Sequence, residues 1–398
     1  MVPPMPHARS PLPLAGRQTL IVGGGVAGLA TGLALRRLGA GVAVMERAGA
    51  ITEVGAGLQI SPNGVRVLRA LGLEPEDFAT RTEAIELHDA RGRQVTRMVP
   101  PAAPGFYLIH RADLVEALAE AFRQAGGVIR LASEVRSIET AEAGMRVATG
   151  DGATAHAPLV IGADGLHSLV RRRLTPDAAP PFFTGQVAWR AIIPGDGGAP
   201  VAQVFMGPGR HLVSYPLRGG QLRNIVAVEE RGQWAAEGWH HPDTPEALRA
   251  AFAGFGGPVP GWLEAVSAPF LWGLFRHPVA ARWHDGQGRV AILGDAAHPT
   301  LPFMAQGANL ALEDAFVLAR ALAAMPQDPA AALARYQTRR APRARAVVAA
   351  ANGNARAYHL RAPLAVLAHT ALRLGDRLSP GLPFRRYARV HDHDVTGP

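Results

Sequence analysis

The chain has 398 residues, 48% hydrophobic and 18% charged, which suits two or three packed domains and excludes an extended disordered polymer. All 41 basic residues are Arg, against 32 acidic ones; the formal charge of +9 is scattered and lacks interleaved aromatics, so no nucleic-acid partner is expected. Cys is absent and no His pair has a metal-ligand spacing such as HExxH, which excludes disulfides, a thiolate nucleophile and the common zinc signatures.

Met1–Leu14 is Pro-rich and lacks the apolar core of a signal peptide. No run reaches the roughly 20 apolar residues that span a bilayer. Ala362–Leu374 comes closest, but it carries His369 and Arg373 and reads as a packed helix. The expectation is a cytoplasmic protein with no membrane partner.

Gln18–Val22 is a short apolar strand, followed by Gly23-Gly24-Gly25-Val26-Ala27-Gly28 and a helix ending near Gly39. A second strand, Gly41–Met45, ends in Glu46. Gly23 permits a tight turn, Gly25 lets backbone approach a pyrophosphate, and Gly28 lets the helix sit on the strand. Glu46 can hold ribose hydroxyls, so this βαβ unit reads as a dinucleotide site, with FAD and NAD undistinguished.

Glu53–Gly57 is a Gly-rich loop that can lie flat against a planar ring or simply connect; Ser61 and Pro62 then cap and start a helix. Ala84–Val99 reads as a strand pair turning at Ala90-Arg91-Gly92. His110-Arg111-Ala112-Asp113 opens a helix, where the Arg111 cation opposes the helix dipole unless an anion lies nearby. Val128–Thr154 reads as strands with a hairpin at Gly150-Asp151-Gly152. Leu159–Arg172 is a second strand–turn–helix, with Asp164 at the strand tip and Ser168 and Arg171 on the helix.

Phe182–Phe275 changes character, with alternating strand-like runs and Trp189, Trp234, Trp239, Trp262 and Trp272. Val187–Ile193, Val201–Met206, His211–Leu217 and Leu222–Glu229 read as an antiparallel sheet whose aromatics can wall a pocket. Arg289–Ala315 follows: a strand, the Gly294-Asp295 turn, a Pro-rich loop with His298, and a helix opening at Gly307-Ala308-Asn309. Asp295 at the strand tip can accept hydrogen bonds from a polyol, and the helix start presents free N–H groups to negative charge. Ala330–Asn352 is a second long helix whose Arg339, Arg340, Arg343 and Arg345 read as a solvated face.

Three stretches together, GGGVAGLATGLAL with Glu46, GADGLHSLVRR, and GDAAHPTLPFMAQGANLALEDA, resemble the single-component FAD-dependent aromatic hydroxylases across nearly the whole chain. The branch most resembled holds salicylate hydroxylase, 3-hydroxybenzoate 6-hydroxylase and 6-hydroxynicotinate 3-monooxygenase. Supporting pieces are Ala188–Ala191, Gly207–His211, Tyr215-Pro216 and His393-Asp394-Val395.

The resemblance implies an α/β, two-domain (α+β) fold, with a Rossmann-like FAD-binding domain and an interleaved antiparallel-sheet substrate domain. The FAD-binding parts would be residues 17–75, 101–178 and 282–352, the sheet parts 76–100 and 179–281, with C-terminal helices in 353–398. It implies FAD, NADH or NADPH as co-substrate, O2, and a small aromatic substrate oxidised through a flavin C(4a)-hydroperoxide, by a monomer or homodimer. The implied cofactor contacts are Gly23, Gly25, Ala27, Gly28, Glu46, Arg47, Gly57, Arg111, Asp164, Asp295, Gly307, Ala308 and Asn309.

His211 falls where this branch carries a base, and Tyr215 shares its strand parity; His298 is a weaker catalytic candidate, the alternative being that it holds its loop. Arg190 and Arg210 are candidates for a substrate carboxylate. Two other readings stay open: a flavin hydroxylase or epoxidase of a quinone, polyketide or terpenoid, and a nucleotide-binding sensor without turnover.

Overall fold

The computed structural model describes residues 12–51, 57–232, 241–378, 384 and 387–397. Most of the Glu53–Gly57 loop, together with Trp234 and Trp239, lies outside the described residues.

Two sheets organise the chain. The first is five-stranded and parallel, in the spatial order Val290–Ile292, Leu159–Gly162, Gln18–Val22, Gly41–Met45, Val128–Arg130. Its central strands are continuous apolar runs, as expected where helices cover both faces. Helix Val26–Arg37 packs on helix Gly307–Ala324, which packs in turn on helix Pro329–Tyr358. A three-stranded antiparallel meander, Val135–Ala141, Gly144–Thr149 and Thr154–Ala157, connects Val128–Arg130 to Leu159–Gly162.

The second sheet has eight strands: His241–Pro242, Phe270–Arg276, Phe182–Pro194, Leu222–Glu230, Arg210–Leu217, Val201–Gly207, Ala84–Asp89, Gln94–Met98. The four strands expected to form an antiparallel sheet pair that way. Val201–Gly207 also runs parallel to Ala84–Asp89, because the early hairpin joins the edge of a sheet built mainly from later residues.

Side-chain alternation divides this sheet into two faces. On the outer face Val187, Trp189, Ala191, Ile193, Phe205 and Leu212 pack under helices Pro245–Ala251 and Val259–Glu264 through Leu248, Trp262 and Leu263. On the inner face Ala188, Val226, Val228 and Trp272 pack against Leu301 and Phe303 of the Pro-rich loop. Trp189 is fully buried and its indole N–H donates to Asp243 Oδ2 at 2.7 Å; truncation to Ala would cost about 3–5 kcal/mol. The expected Trp-walled pocket is therefore not seen among the described residues. Trp189 falls on the outer parity, Trp262 belongs to the helix that covers that face, and Trp272 alone joins the inner cluster.

In a small sheet Tyr107–His110 lies between Gly57–Ile60 and Thr80–Arg81, placing Gly57 opposite His110. Helix Leu364–Leu378 lies along Gln94–Met98 and leaves Leu364, Leu367, Leu374 and Leu378 exposed, so the helix expected at 362–374 is packed on one side only. No described helix is long and apolar enough to cross a membrane.

Candidate active site

Three turns far apart in sequence meet at the carboxyl ends of the parallel strands. Gly23 has φ +106°, and a Cβ there would lie 2.3 Å from the carbonyl oxygen of Ala163, so only glycine lets the first turn touch the turn carrying Asp164. A Cβ on Gly28 would fall 1.9 Å from the Gly23 oxygen, so helix and turn need that glycine to close. On the other side, Ala27 Cβ is 3.0 Å from the Cβ position of Gly294. Gly25 is the N-cap of helix Val26–Arg37 in an extended conformation, with no side chain between its backbone and the cleft.

Glu46 sits at the tip of Gly41–Met45, where its carboxylate accepts from Gly24 N at 2.6 Å and Ala48 N at 2.9 Å; Arg47 beside it is exposed. The glutamate is thus held over the glycine turn.

Asp164 accepts from Ser168 Oγ and, at 3.2 Å, from Val170 N. Its carboxylate is engaged by its own turn, whose helix Ser168 caps. Arg171 is buried and donates to the carbonyls of Ala296 at 3.1 Å and Pro278 at 2.8 Å, tying this turn to the Gly294-Asp295 loop.

Asp295 is exposed, yet burial is the first cause that pushes its carboxyl above the usual range; Asp314 adds to this, and His298 and Arg111 partly offset it. A carboxylate walled by protein but open on one side lies on the floor of a cleft. Arg111 begins helix Arg111–Gln124; burial lowers its guanidinium and Asp295 offsets that. The Arg111 cation at a helix start is therefore answered by an acid from another strand.

Helix Gly307–Ala324 starts at the same place, and the first-turn amides of Gly307, Ala308 and Asn309 have no carbonyl one turn earlier to bind. The Asn309 side chain turns inward: Nδ2 donates to Gln59 O at 3.0 Å and Ala305 O at 2.7 Å, and Oδ1 accepts from Ser61 N at 3.0 Å. Asn309 therefore braces strand Gly57–Ile60, leaving its backbone N–H as the group that can face a ligand.

A buried ionic network holds this helix. Asp314 accepts from His298 Nε2 at 2.5 Å, Gly294 N at 3.1 Å and Arg340 Nε at 2.7 Å. Glu313 accepts from Arg340 Nη1 at 2.6 Å, Arg343 Nη2 at 3.0 Å and Asn63 Nδ2 at 2.6 Å. Arg340 and Arg343 thus depart from the expected solvated face. The helix turns them onto two acids of its neighbour, and charges removed from water need such partners. His298 holds its loop, as expected.

His211 and Tyr215 lie on the inner face of Arg210–Leu217, opposite Val228 and Asn224 of the adjoining strand, and both are buried. The His211 ring packs against Phe303, centroid to centroid 5.4 Å, and Tyr358, 5.2 Å. Both rings line a cavity of about 80 Å³, shared with Ile85, Met98, Val204 and Val213. Tyr215 reaches the other way: a Cβ on Gly57 would lie 2.5 Å from its ring, so Gly57 is required for that contact, and Gly57 N donates to Asn224 Oδ1 at 2.9 Å. Burial raises the Tyr215 phenol well above its usual range, offset in part by Arg190 and by a hydrogen bond with Gln59.

Arg190 and Arg210 separate clearly. Arg210 pairs with Glu229 at 3.2 Å and bonds the Ala251 carbonyl on the outer side. The Arg190 guanidinium lies over the Trp272 ring, 3.9 Å from its centroid, and burial followed by the like charge of Arg111 pushes it down to about 9.

Residues 17–351 match the protein family described as FAD binding domain. A 3-amino-4-hydroxybenzoate 2-monooxygenase of Streptomyces cremeus is 38% identical over 355 residues, covering 85% of this chain and 87% of that protein. The chain belongs to this FAD-binding family.

A second relative, the 3-hydroxybenzoate 6-hydroxylase of Polaromonas naphthalenivorans, is 35% identical over 85% of this chain and 88% of its own length. A salicylate hydroxylase solved as a substrate complex superposes with a TM-score of 0.79 at 26% identity, covering 95% of this chain and 96% of that one. The protein is an FAD-dependent monooxygenase of the aromatic-hydroxylase type, with NAD(P)H as reductant. The cleft suits that cofactor on its own evidence: an open carboxylate on the floor, a cation beside it and a helix start aimed at the same space. Residues not expected from sequence as part of this FAD-binding member's site are Gln59, Asn224, Glu313, Asp314 and His359; each acts through partners more than 100 residues away or on another helix, a distance at which spacing carries no signal.

Proposed function

We propose that the protein hydroxylates a small aromatic acid bearing a ring hydroxyl, of the hydroxybenzoate type, in the space between the inner sheet face and the Pro-rich loop. The observation carrying this reading is the convergence of His211, Tyr215 and Arg190 on one sheet face, across from Phe303. Arg190 and Arg111 give that end of the cleft positive charge suited to a carboxylate. Phe303, Val213 and Ile85 supply the apolar surface that a ring prefers.

FAD would be held by Gly23, Gly25, Ala27 and Gly28 at the pyrophosphate, by Glu46 and Arg47 at the adenosine end, and by Asp295 and Asp164 along the chain between. Gly57, Arg111 and the amides of Gly307, Ala308 and Asn309 would meet the ring system, where a helix start favours negative charge. When bound and reduced by NAD(P)H, FAD supplies the activated oxygen atom. The protein's own part is to bind the ring, exclude water and take the proton of the ring hydroxyl, making the ring electron-rich; His211 is the base, with Tyr215 orienting.

NAD(P)H oxidation tests this with 3-amino-4-hydroxybenzoate, 3-hydroxybenzoate and salicylate, measuring product and peroxide together. Faster oxidation with hydroxylated product is expected for at least one acid. Failure of all three, or peroxide alone, would remove the substrate class.

A further inference from the structure

His211 does not stand alone in its buried position. Its Nδ1 is 2.7 Å from His359 Nε2, and His359 Nδ1 is 2.7 Å from Glu230 Oε1. The chain runs outward: His211 is 1% exposed, His359 6%, and the Glu230 side chain 46%. The three residues come from a strand, the cap of a long helix and the end of the next strand. The hairpin turn that precedes His211 is fixed to the other two, with Gly209 N donating to His359 O at 3.2 Å and Glu230 N to Gly209 O at 2.9 Å.

We infer that His211, His359 and Glu230 form a proton-exit chain that carries the proton of the substrate's ring hydroxyl from the buried site to the surface. The inference rests on the base role of His211 proposed above. His359 and Glu230 touch no substrate and are positioning and transfer residues.

The proton positions follow from the acceptors. A carboxylate only accepts, so His359 carries its proton on Nδ1 toward Glu230. Its Nε2 then accepts, so His211 carries its proton on Nδ1 and leaves the Nε2 lone pair for the substrate. On reaction the substrate O–H bond breaks and an Nε2–H bond forms on His211. The Nδ1 proton of His211 crosses to Nε2 of His359, and the Nδ1 proton of His359 passes to Glu230 and on to solvent. No electrons are gained or lost, and one proton leaves the site.

A buried base needs such an exit. Burial, then the neighbouring His359, holds the His211 imidazole well below its usual range, so a positive charge is poorly kept there. Burial holds the His359 imidazole below its usual range too, but there a carboxylate works against the shift. Glu230 faces a positive charge on His359, which as C-cap of the 30-residue helix Pro329–Tyr358 also meets the negative end of the helix dipole. Burial and the nearby Arg210 cation act against that charge, and Arg361 approaches the Gly209 turn beside Glu230.

The test uses FAD-loaded protein and 4-hydroxy-3-nitrobenzoate, a hydroxybenzoate whose phenolate is coloured, held at a mildly acidic pH where the free phenol keeps its proton, with its ionisation on binding followed by rapid mixing. Wild type, His211→Ala, His359→Gln and Glu230→Gln are compared, each checked for flavin content and ligand affinity. Gln at 359 can accept a hydrogen bond from His211 but cannot pass a proton, and Glu230→Gln is a half-exposed change that leaves folding intact. The expected result is bound-phenolate formation slowed about tenfold or more in His359→Gln and several-fold in Glu230→Gln, with affinity within twofold, and abolished in His211→Ala. If His211→Ala alone slows ionisation, the exit chain is overturned and the base role stands. If no variant slows it, the base role falls and the chain with it.

Discussion

Arg340 Nε donates to Asp314 Oδ1 at 2.7 Å, and both side chains are shut off from water. Asp314 also accepts from Gly294 N and His298, so one carboxylate joins the long helix to the turn that presents Asp295. Asp314→Asn or Arg340→Met leaves a buried charge uncompensated, and a loss of about 3–5 kcal/mol is expected. Urea unfolding of the FAD-free protein reads this directly. Flavin affinity should fall in the same variants, because the Asp295 turn loses its support.

Asp295→Ala should behave differently. The carboxylate accepts no hydrogen bond among the described residues and acts only as a charge facing Arg111, so stability should fall by less than in the Asp314 variant. FAD retention, read from the 450 nm to 280 nm absorbance ratio after gel filtration, should drop at least tenfold. Full flavin occupancy in this variant would remove Asp295 from the cofactor site.

Gly28→Ala places a methyl carbon 1.9 Å from the Gly23 oxygen, a backbone atom that cannot step aside. The expected cost is about 3 kcal/mol, with loss of bound flavin. Gly49→Ala meets nothing within 4 Å and serves as the matched control, expected to keep its colour and its melting temperature.

His391 gives a pH signature. Burial, then the Arg343 cation, pushes its imidazole from 6.5 down to about 4. Between those values the unfolded chain binds a proton that the folded chain does not. Stability is therefore fully present above pH 6.5 and is lost as pH falls toward 4, by up to about 3 kcal/mol from this one group. His391→Phe, placed among Phe106, Phe384 and Tyr387, should flatten the dependence of the urea midpoint on pH across that window. An unchanged slope would show that other groups set it.

What could be read from the chain was local. Gly23, Gly28 and Glu46 announce themselves because a tight turn, a close helix and a strand tip each demand one residue type at a set spacing. Asp295 and Gly307 were legible for the same reason, and the shared parity of His211 and Tyr215 followed from strand periodicity. Arg340 read as solvated because its partners, Glu313 and Asp314, sit one helix earlier and nothing in either helix alone marks the pairing. The Trp residues misled because alternation shows that a strand has two faces without showing which face meets the cofactor. For Asn309 the sequence does not show that the side-chain amide is spent on Gln59, Ala305 and Ser61, which leaves only its backbone N–H for a ligand.

The way the large sheet is stitched has a consequence for biosynthesis. Its edge hairpin is translated by residue 98, but the Val201–Gly207 strand it pairs with emerges about a hundred residues later, and Phe270–Arg276 later still. Through most of elongation the nascent polypeptide therefore carries unmatched strand borders on the ribosome, the condition in which chains adhere to one another. Slower translation at low temperature, or more chaperone, should raise the soluble yield, whereas cutting the gene between Gln94–Met98 and Val201–Gly207 should give fragments that precipitate.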